Sequence, residues 1–195
     1  MKKNHGLTLA ELLITLSILA IISVAGISFF LFPNKVFDNI IVQGTMEYDV
    51  NGVLREMVKE IRAATNPDPA TDAIVIFNSD EVVALSGNRI DIYHYRNNRY
   101  YKVSYRFSNG NLEKGIIERN TEQEITNASV NNYSVILSDI VFPSGGEIFQ
   151  DITTDSKENS RKTISINLIA QDETGRFITS QNRPLTVTTR TKIYP

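Results

Sequence analysis

The chain has 195 residues, 42% hydrophobic and 22% charged, a balance that argues against a largely disordered or collagen-like protein. It contains no Cys and two His, His5 and His94, which excludes disulfide frameworks, thiolate metal sites and a His-rich zinc centre. Twenty basic residues against 22 acidic ones give a net charge of −2, so no global attraction to nucleic acid or anionic lipid is built in.

The N-terminus departs sharply from this average. Residues 1–6 are short and basic, with Lys2 and Lys3, and Leu7 to Phe32 then carry one charge, Glu11. From Leu12 to Phe32 there is none. Twenty-one helical residues at about 1.5 Å each reach roughly 31 Å, matching a bilayer core of about 30 Å. The run is too long for the apolar region of a secretory signal peptide, and it ends in Phe29-Phe30-Leu31-Phe32-Pro33 rather than in a small-residue cleavage site. A single membrane-spanning helix is therefore expected. The lysines before it place the N-terminus in the cytoplasm and send residues 34–195 outward.

An amphipathic helix is expected next. Val50, Leu54, Met57, Val58 and Ile61 recur at spacings of three and four, while Arg55, Glu56, Lys59, Glu60 and Arg62 fill the other side. Pro67 and Pro69 supply the stop, because proline lacks an amide donor and drives the preceding residue out of the helical region. Helix from about Leu7 to Ala64 is expected, with Pro33, Gly44 and Asn51-Gly52 as places where it can kink.

Everything downstream reads as strands. Asn97-Asn98 tolerates positive φ, so a two-residue turn sets His94 opposite Tyr101, Ile92 opposite Val103 and Ile90 opposite Tyr105 on the core face. Asp91, Tyr93, Tyr95, Tyr100, Lys102 and Ser104 then share the other face, so patterning and turn chemistry select one register. Ser108-Asn109-Gly110-Asn111 is a second turn, leading to Leu112 and Ile116-Ile117. Further strands are expected at Tyr133–Phe142, along Ile164, Ile166, Leu168 and Ala170, and along Leu185, Val187, Thr189, Thr191 and Ile193. Thr153 to Arg161 is polar and reads as a loop. The fold class is α+β: a long N-terminal helix packed on an antiparallel sheet. Its segments are 1–6 as leader, 7–33 as membrane helix, 34–66 as the amphipathic half and 67–195 as a β-rich head.

The junction Gly6-Leu7-Thr8-Leu9-Ala10-Glu11-Leu12-Leu13-Ile14 resembles the leader junction of type IV prepilins and type II secretion pseudopilins. The resemblance implies that a prepilin peptidase cuts after Gly6 and methylates the new amine of Leu7, and that Glu11 helps dock the subunit into a filament. Leu7 departs from the phenylalanine usual at that place. The implied partners are the peptidase, other pilin or pseudopilin subunits, and the inner or cytoplasmic membrane. The chain length, the Glu60-Ile61-Arg62 helix end and the Ile92-Tyr93-His94-Tyr95-Arg96 strand are similar to J-type pseudopilins and W-type minor pilins. A minor filament subunit for secretion, motility, adhesion or DNA uptake is the function this implies, with neither enzymatic activity nor cofactor.

Physical chemistry reads Glu11 in two ways. A carboxylate beside an apolar helix needs a cation, and the amine freed at Leu7 of a neighbouring subunit supplies one. Thr8 and Glu11 also have the spacing of a capping box, in which Thr8 caps the helix and Glu11 reaches back to the Thr8 amide. Small residues such as Ala20, Ala25 and Gly26 allow neighbouring helices to approach.

Other features are weaker. The hairpin from Arg89 to Arg106 carries net +4 interleaved with five tyrosines, so Arg96, Arg99 and Lys102 are the residues that would touch single-stranded nucleic acid. Residues 34–195 are nevertheless net acidic, and sheet packing is the preferred account. His94 is expected as a buried, hydrogen-bonded ring. Asp151, Asp155 and Glu158 lack the spacing and glycine of an EF-hand and read as a solvated turn, so no metal site is expected. Asn127-Ala128-Ser129 and Asn132-Tyr133-Ser134 have the form of glycosylation sequons only. A signal-anchored extracytoplasmic binding module that never polymerises is the alternative.

Overall fold

A computed structural model describes residues 8–67, 71–141, 146–153, 162–171 and 185–189. The first element, α1 (Leu9–Ala63), continues through Pro33, Gly44 and Asn51-Gly52. The chain divides into two units between Gly44 and Thr45, so residues Thr45–Ala63 of α1 group with the strands.

Within the second unit, the apolar stripe of the helix is buried as its spacing requires. Val50, Leu54, Met57 and Ile61 are 0–3% exposed, and Val58 is half-buried. They join one cluster with Ile74, Ile76, Ile90, Ile92, Val103, Tyr105 and Leu112 from the sheet. The helix ends at Ala63, ahead of Pro67. The chain just past its end is tied to the sheet, since the amide of Thr65 donates to the Tyr93 carbonyl at 2.8 Å.

The main sheet is antiparallel. Its strands are β1 (Ile74–Phe77), then β3 (Arg89–Arg96), β4 (Arg99–Ser108), β5 (Asn111–Arg119) and β6 (Tyr133–Leu137), adjacent in that order, with β2 (Ser86–Gly87) lying in a second sheet. The hairpin between β3 and β4 has the expected register, with His94 opposite Tyr101, Ile92 opposite Val103 and Ile90 opposite Tyr105. Its turn residues Asn97 and Asn98 have φ of 51° and 63°, the mirror-image turn that matches strand twist. Asn109 and Gly110 turn the chain between β4 and β5 in the same way.

Three features differ from expectation. The segment after β5 is not all strand: α2 (Glu122–Asn127) forms there, capped by Thr121, whose hydroxyl accepts from the Glu124 amide at 3.3 Å. Ile125 of α2 is fully buried. The expected strand over Tyr133–Phe142 is cut in two, because Asp139 adopts φ of 58° and separates β6 from β7 (Ile140–Val141). The run from Ile164 to Ala170 is likewise divided into β9 (Thr163–Ile166) and β10 (Ile169–Ala170), although Ile164, Ile166, Leu168 and Ala170 all point inward. β7 pairs with β10, while β9 lies between β8 (Phe149–Asp151) and β11 (Leu185–Thr188) in the sheet that also holds β2. Thr191 and Ile193, and most of the expected loop between Thr153 and Arg161, lie outside the described residues.

Two glycines are required by close approach. A Cβ on Gly87 would stand 1.9 Å from the Phe77 carbonyl oxygen, so β2 runs against β1 only without a side chain. A Cβ on Gly115 would meet Val130 at 2.3 Å and the Asn132 carbonyl at 2.8 Å. Gly115 thereby lets residues 128–133 lie down on the face of the sheet turned away from α1. The architecture is α+β and matches a pilin-like fold, with one long helix, apolar at its start, and an antiparallel sheet.

Candidate functional site

The start of α1 is built by a reciprocal pair. The amide and the hydroxyl of Thr8 both donate to Oε2 of Glu11, at 2.9 and 3.0 Å, and the Glu11 amide donates back to the Thr8 hydroxyl at 3.3 Å. The Leu12 amide donates to the Thr8 carbonyl at 3.1 Å, closing the first turn. Two of the orphan donors of the helix start, the amides of Thr8 and Glu11, are thereby satisfied before the apolar run begins. Gly6 and Leu7 lie outside the described residues.

The run itself is suited to lipid. Leu9–Phe29 forms a 21-residue stretch of mean hydropathy 2.5, none of it buried within the chain, long and apolar enough to cross a membrane. Its hydroxyls are satisfied internally: Thr15 donates to the Glu11 carbonyl, Ser17 to Leu13, Ser23 to Leu19 and Ser28 to Val24, at 2.7–3.0 Å. Each of these hydroxyls thus folds back on its own helix and asks nothing of a solvent that cannot hydrogen-bond.

Residues 1–27 match the family model described as "Prokaryotic N-terminal methylation motif". The N-terminus is a prepilin-type methylation motif. No curated protein and no solved structure matches the chain. The motif and the pilin-like fold together are consistent with the type IV pilin and pseudopilin superfamily, and the motif implies processing by a prepilin peptidase. The apolar helix, most of which lies within the matched residues, is consistent with a single-pass membrane protein.

Away from the motif, the hairpin residues are not gathered into one basic surface. Arg96 and Arg99 pair with each other across β3 and β4 on the helix-facing side, where Arg96 lies 3.6 Å from Glu60 and Arg99 is ion-paired with Glu118. Lys102 lies on the opposite face, 4% exposed, with its ammonium donating to the carbonyls of Ala128 at 2.7 Å and Thr126 at 3.3 Å. Burial lowers its pKa, opposed by Asp91. Lys102 is therefore a clasp that holds the segment after α2 onto the sheet and is not presented to a phosphate backbone. The face allotted to polar residues is itself covered: Asp91, Tyr93, Lys102 and Ser104 are 0–4% exposed.

His94 is buried, 3% exposed, and it closes the end of α1. Nδ1 donates to the Ala63 carbonyl at 3.2 Å, and Nε2 lies 2.9 Å from the Glu60 carboxylate. A ring from β3 thus satisfies a last-turn carbonyl at the negative end of the helix. Sequence patterning placed His94 on this face, yet Glu60 stands 34 residues away and no local motif joins the two.

The His94 ring beside it holds the Glu60 carboxyl below its ordinary value of 4.5; burial opposes this, while Lys114 and Arg96 add attraction. A carboxylate with a depressed folded-state pKa stabilises fully above the unfolded value and loses that stabilisation as pH falls through the folded one. Glu60→Gln should therefore lower the urea midpoint at pH 7 and narrow the gap to wild type below pH 4.5. A gap that stayed constant down to pH 3 would show that the Glu60 charge contributes nothing.

Asp151 is also engaged structurally. It receives the amide of Thr153 at 3.0 Å and lies 3.4 Å from the Lys162 ammonium, which is 2.8 Å from Asp72. Asp155 and Glu158 lie outside the described residues. Among the described residues, no group of three or more His, Asp or Glu is placed to hold a metal ion.

Proposed function

We propose that the chain is a minor subunit of a type IV pilus-like or type II secretion filament, anchored by α1 before assembly and packed through it afterwards. Lys2 and Lys3 keep the N-terminus in the cytoplasm, and the β-rich unit stands outside the membrane. Cleavage after Gly6 leaves Leu7 as the first residue, with a free amine that is then methylated. The observation that carries this reading is the Thr8–Glu11 pair at the mouth of an apolar helix, within a methylation motif. Thr8 occupies Oε2 of Glu11, and among the described residues Oε1 has no partner, leaving it for the amine of a neighbouring subunit. Such a pair removes two charges from poor solvation together and sets the axial stagger of two featureless apolar helices.

The test is the intact mass of the protein from its native membrane, in hosts with and without the peptidase. Loss of residues 1–6 with one added methyl is expected only when the peptidase is present. Glu11→Ala should leave cleavage intact and reduce recovery in sheared filaments at least about tenfold, since the amine of the neighbouring subunit is left without its carboxylate. Thr8→Ala removes only the cap, costs about 1 kcal/mol of helix stability and should be tolerated. An unprocessed N-terminus in a peptidase-competent host would instead favour a signal-anchored binding module that does not polymerise.

A further inference from the structure

On the sheet face turned away from α1, residues 126–130 roof a cavity of about 310 Å³. Its floor holds Arg89, Asp91 and Lys102, with Tyr93, Arg106 and Tyr133 at the sides. Charge is unbalanced at depth. The Arg89 side chain is 19% exposed and Lys102 is buried, both cations, and the one carboxylate between them is Asp91, 6% exposed. Arg106 is already answered by Glu113 at 2.6 Å. Asp91 is committed as well: its Oδ1 accepts the Ser104 hydroxyl at 2.6 Å while lying 3.4 Å from Arg89 Nε. Arg89 Nε is buried and has no hydrogen-bond partner among the described residues.

The excess positive charge is met by a residue at the rim of the cavity. Glu81 reaches in from the turn between Asn78 and Val82 and ion-pairs with Arg89 at the mouth, although its own side chain is 67% exposed. The turn is built to present it. The side chain of Asn78 accepts the amides of Asp80 and Val82 at 2.9 and 3.0 Å, and Glu81 sits at φ of 60°, where a non-glycine residue is uncommon. A solvated carboxylate therefore rests on a guanidinium that has donors to spare.

We propose that this cavity binds one small carboxylate ligand, of the size of a sugar acid or an acylated amino acid, whose carboxylate displaces Glu81 from Arg89. The planar guanidinium fork matches a carboxylate in two parallel hydrogen bonds, and Lys102 adds a second positive charge behind it. Glu81 is the internal competitor that occupies the position when no ligand is there. The volume is at the lower end of the range for small-molecule sites, which limits the ligand to one such unit. Partial enclosure beneath residues 126–130 strengthens the attraction relative to an open surface.

The experiment is a titration of the full chain in detergent, following the backbone amide signals of Ala128 and Ser129 by NMR at constant ionic strength. The probes are D-glucuronate, N-acetylalanine and inorganic phosphate, with sodium chloride as the reference. A saturable shift with glucuronate or N-acetylalanine is expected, and whichever saturates first assigns the ligand as sugar acid or amino-acid type. Glu81→Gln should lower the half-saturation concentration at least threefold, because the competitor is gone. Arg89→Gln should abolish the shift, and Arg89→Lys, which keeps the charge and loses the fork, should weaken it at least tenfold. No saturable shift in Glu81→Gln, a response to phosphate alone, or an undiminished response in a folded Arg89 variant would each overturn the proposal.

Discussion

Replacing Asp91 with alanine is expected to destabilise the β-rich unit by about 3–5 kcal/mol, the range found when one member of a buried charge network is removed. The carboxylate lies between Arg89 and Lys102, and among the described residues no second carboxylate is buried beside them. Without it Lys102 remains as a charge in a poorly solvated site, Arg89 keeps only the exposed Glu81, and the Ser104 hydroxyl loses its acceptor at 2.6 Å. Ser104 also lies 2.9 Å from the Tyr133 hydroxyl, which donates to it because the serine proton is already given to Asp91, so the loss spreads to β6. Asp91→Asn keeps the shape and should cost less. Pairing Asp91→Ala with Lys102→Met should recover part of the loss, since an apolar pair replaces an isolated charge. The urea midpoint of the full chain in detergent checks this by near-UV circular dichroism, whose signal comes from eight tyrosines, all beyond Gly44, and no tryptophan. A loss below about 1 kcal/mol would mean that water shields these charges and that the network is not a buried one.

The second large effect is expected at Met57, where alanine should cost about 2–5 kcal/mol. The side chain is 0% exposed and belongs to the same cluster as Ile90, Ile92 and Tyr105, so its removal leaves a void walled by side chains held on the sheet. Those walls cannot close in without disturbing a register fixed by eight paired positions between β3 and β4. Met57→Leu conserves volume and should cost under about 1.5 kcal/mol. Val58→Ala, at a half-buried neighbour, should cost less than Met57→Ala. Amide hydrogen exchange in β3 provides an independent reading. Met57→Ala should speed exchange at Ile90 and Ile92, whereas Val58→Ala should leave it nearly unchanged.

How much of this was legible in the sequence depends on how local each cause is. The β3–β4 hairpin was readable because two independent local signals agree: alternation along Ile90, Ile92 and His94, and a turn pair, Asn97-Asn98, that accepts positive φ. The helix stripe was readable for the same reason, its period being carried by five residues within three turns. The roof over Lys102 was not. It is polar in sequence and is held by carbonyls of Thr126 and Ala128 and by the missing side chain of Gly115, none of which differs in composition from an ordinary loop. Asp139 likewise looks like any polar strand residue, and only its left-handed backbone reveals that the strand ends there. At the N-terminus the chemistry is written in adjacent residues, which is why the Thr8–Glu11 pair was legible, while Glu60 and His94 come together only through folding.

The apolar part of α1 also constrains how this protein can travel. Twelve large apolar side chains between Leu9 and Phe29 are each 49–79% exposed within the chain. At about 1–1.5 kcal/mol for covering each one, their hydration would cost on the order of 10–20 kcal/mol. A free water-borne intermediate is therefore vanishingly scarce, and any passage from lipid to another apolar environment must be a sideways hand-off in which one dry neighbour replaces another. The speed of such a hand-off is set by diffusion within the bilayer plane, and the concentration that governs it is a number per unit area of membrane.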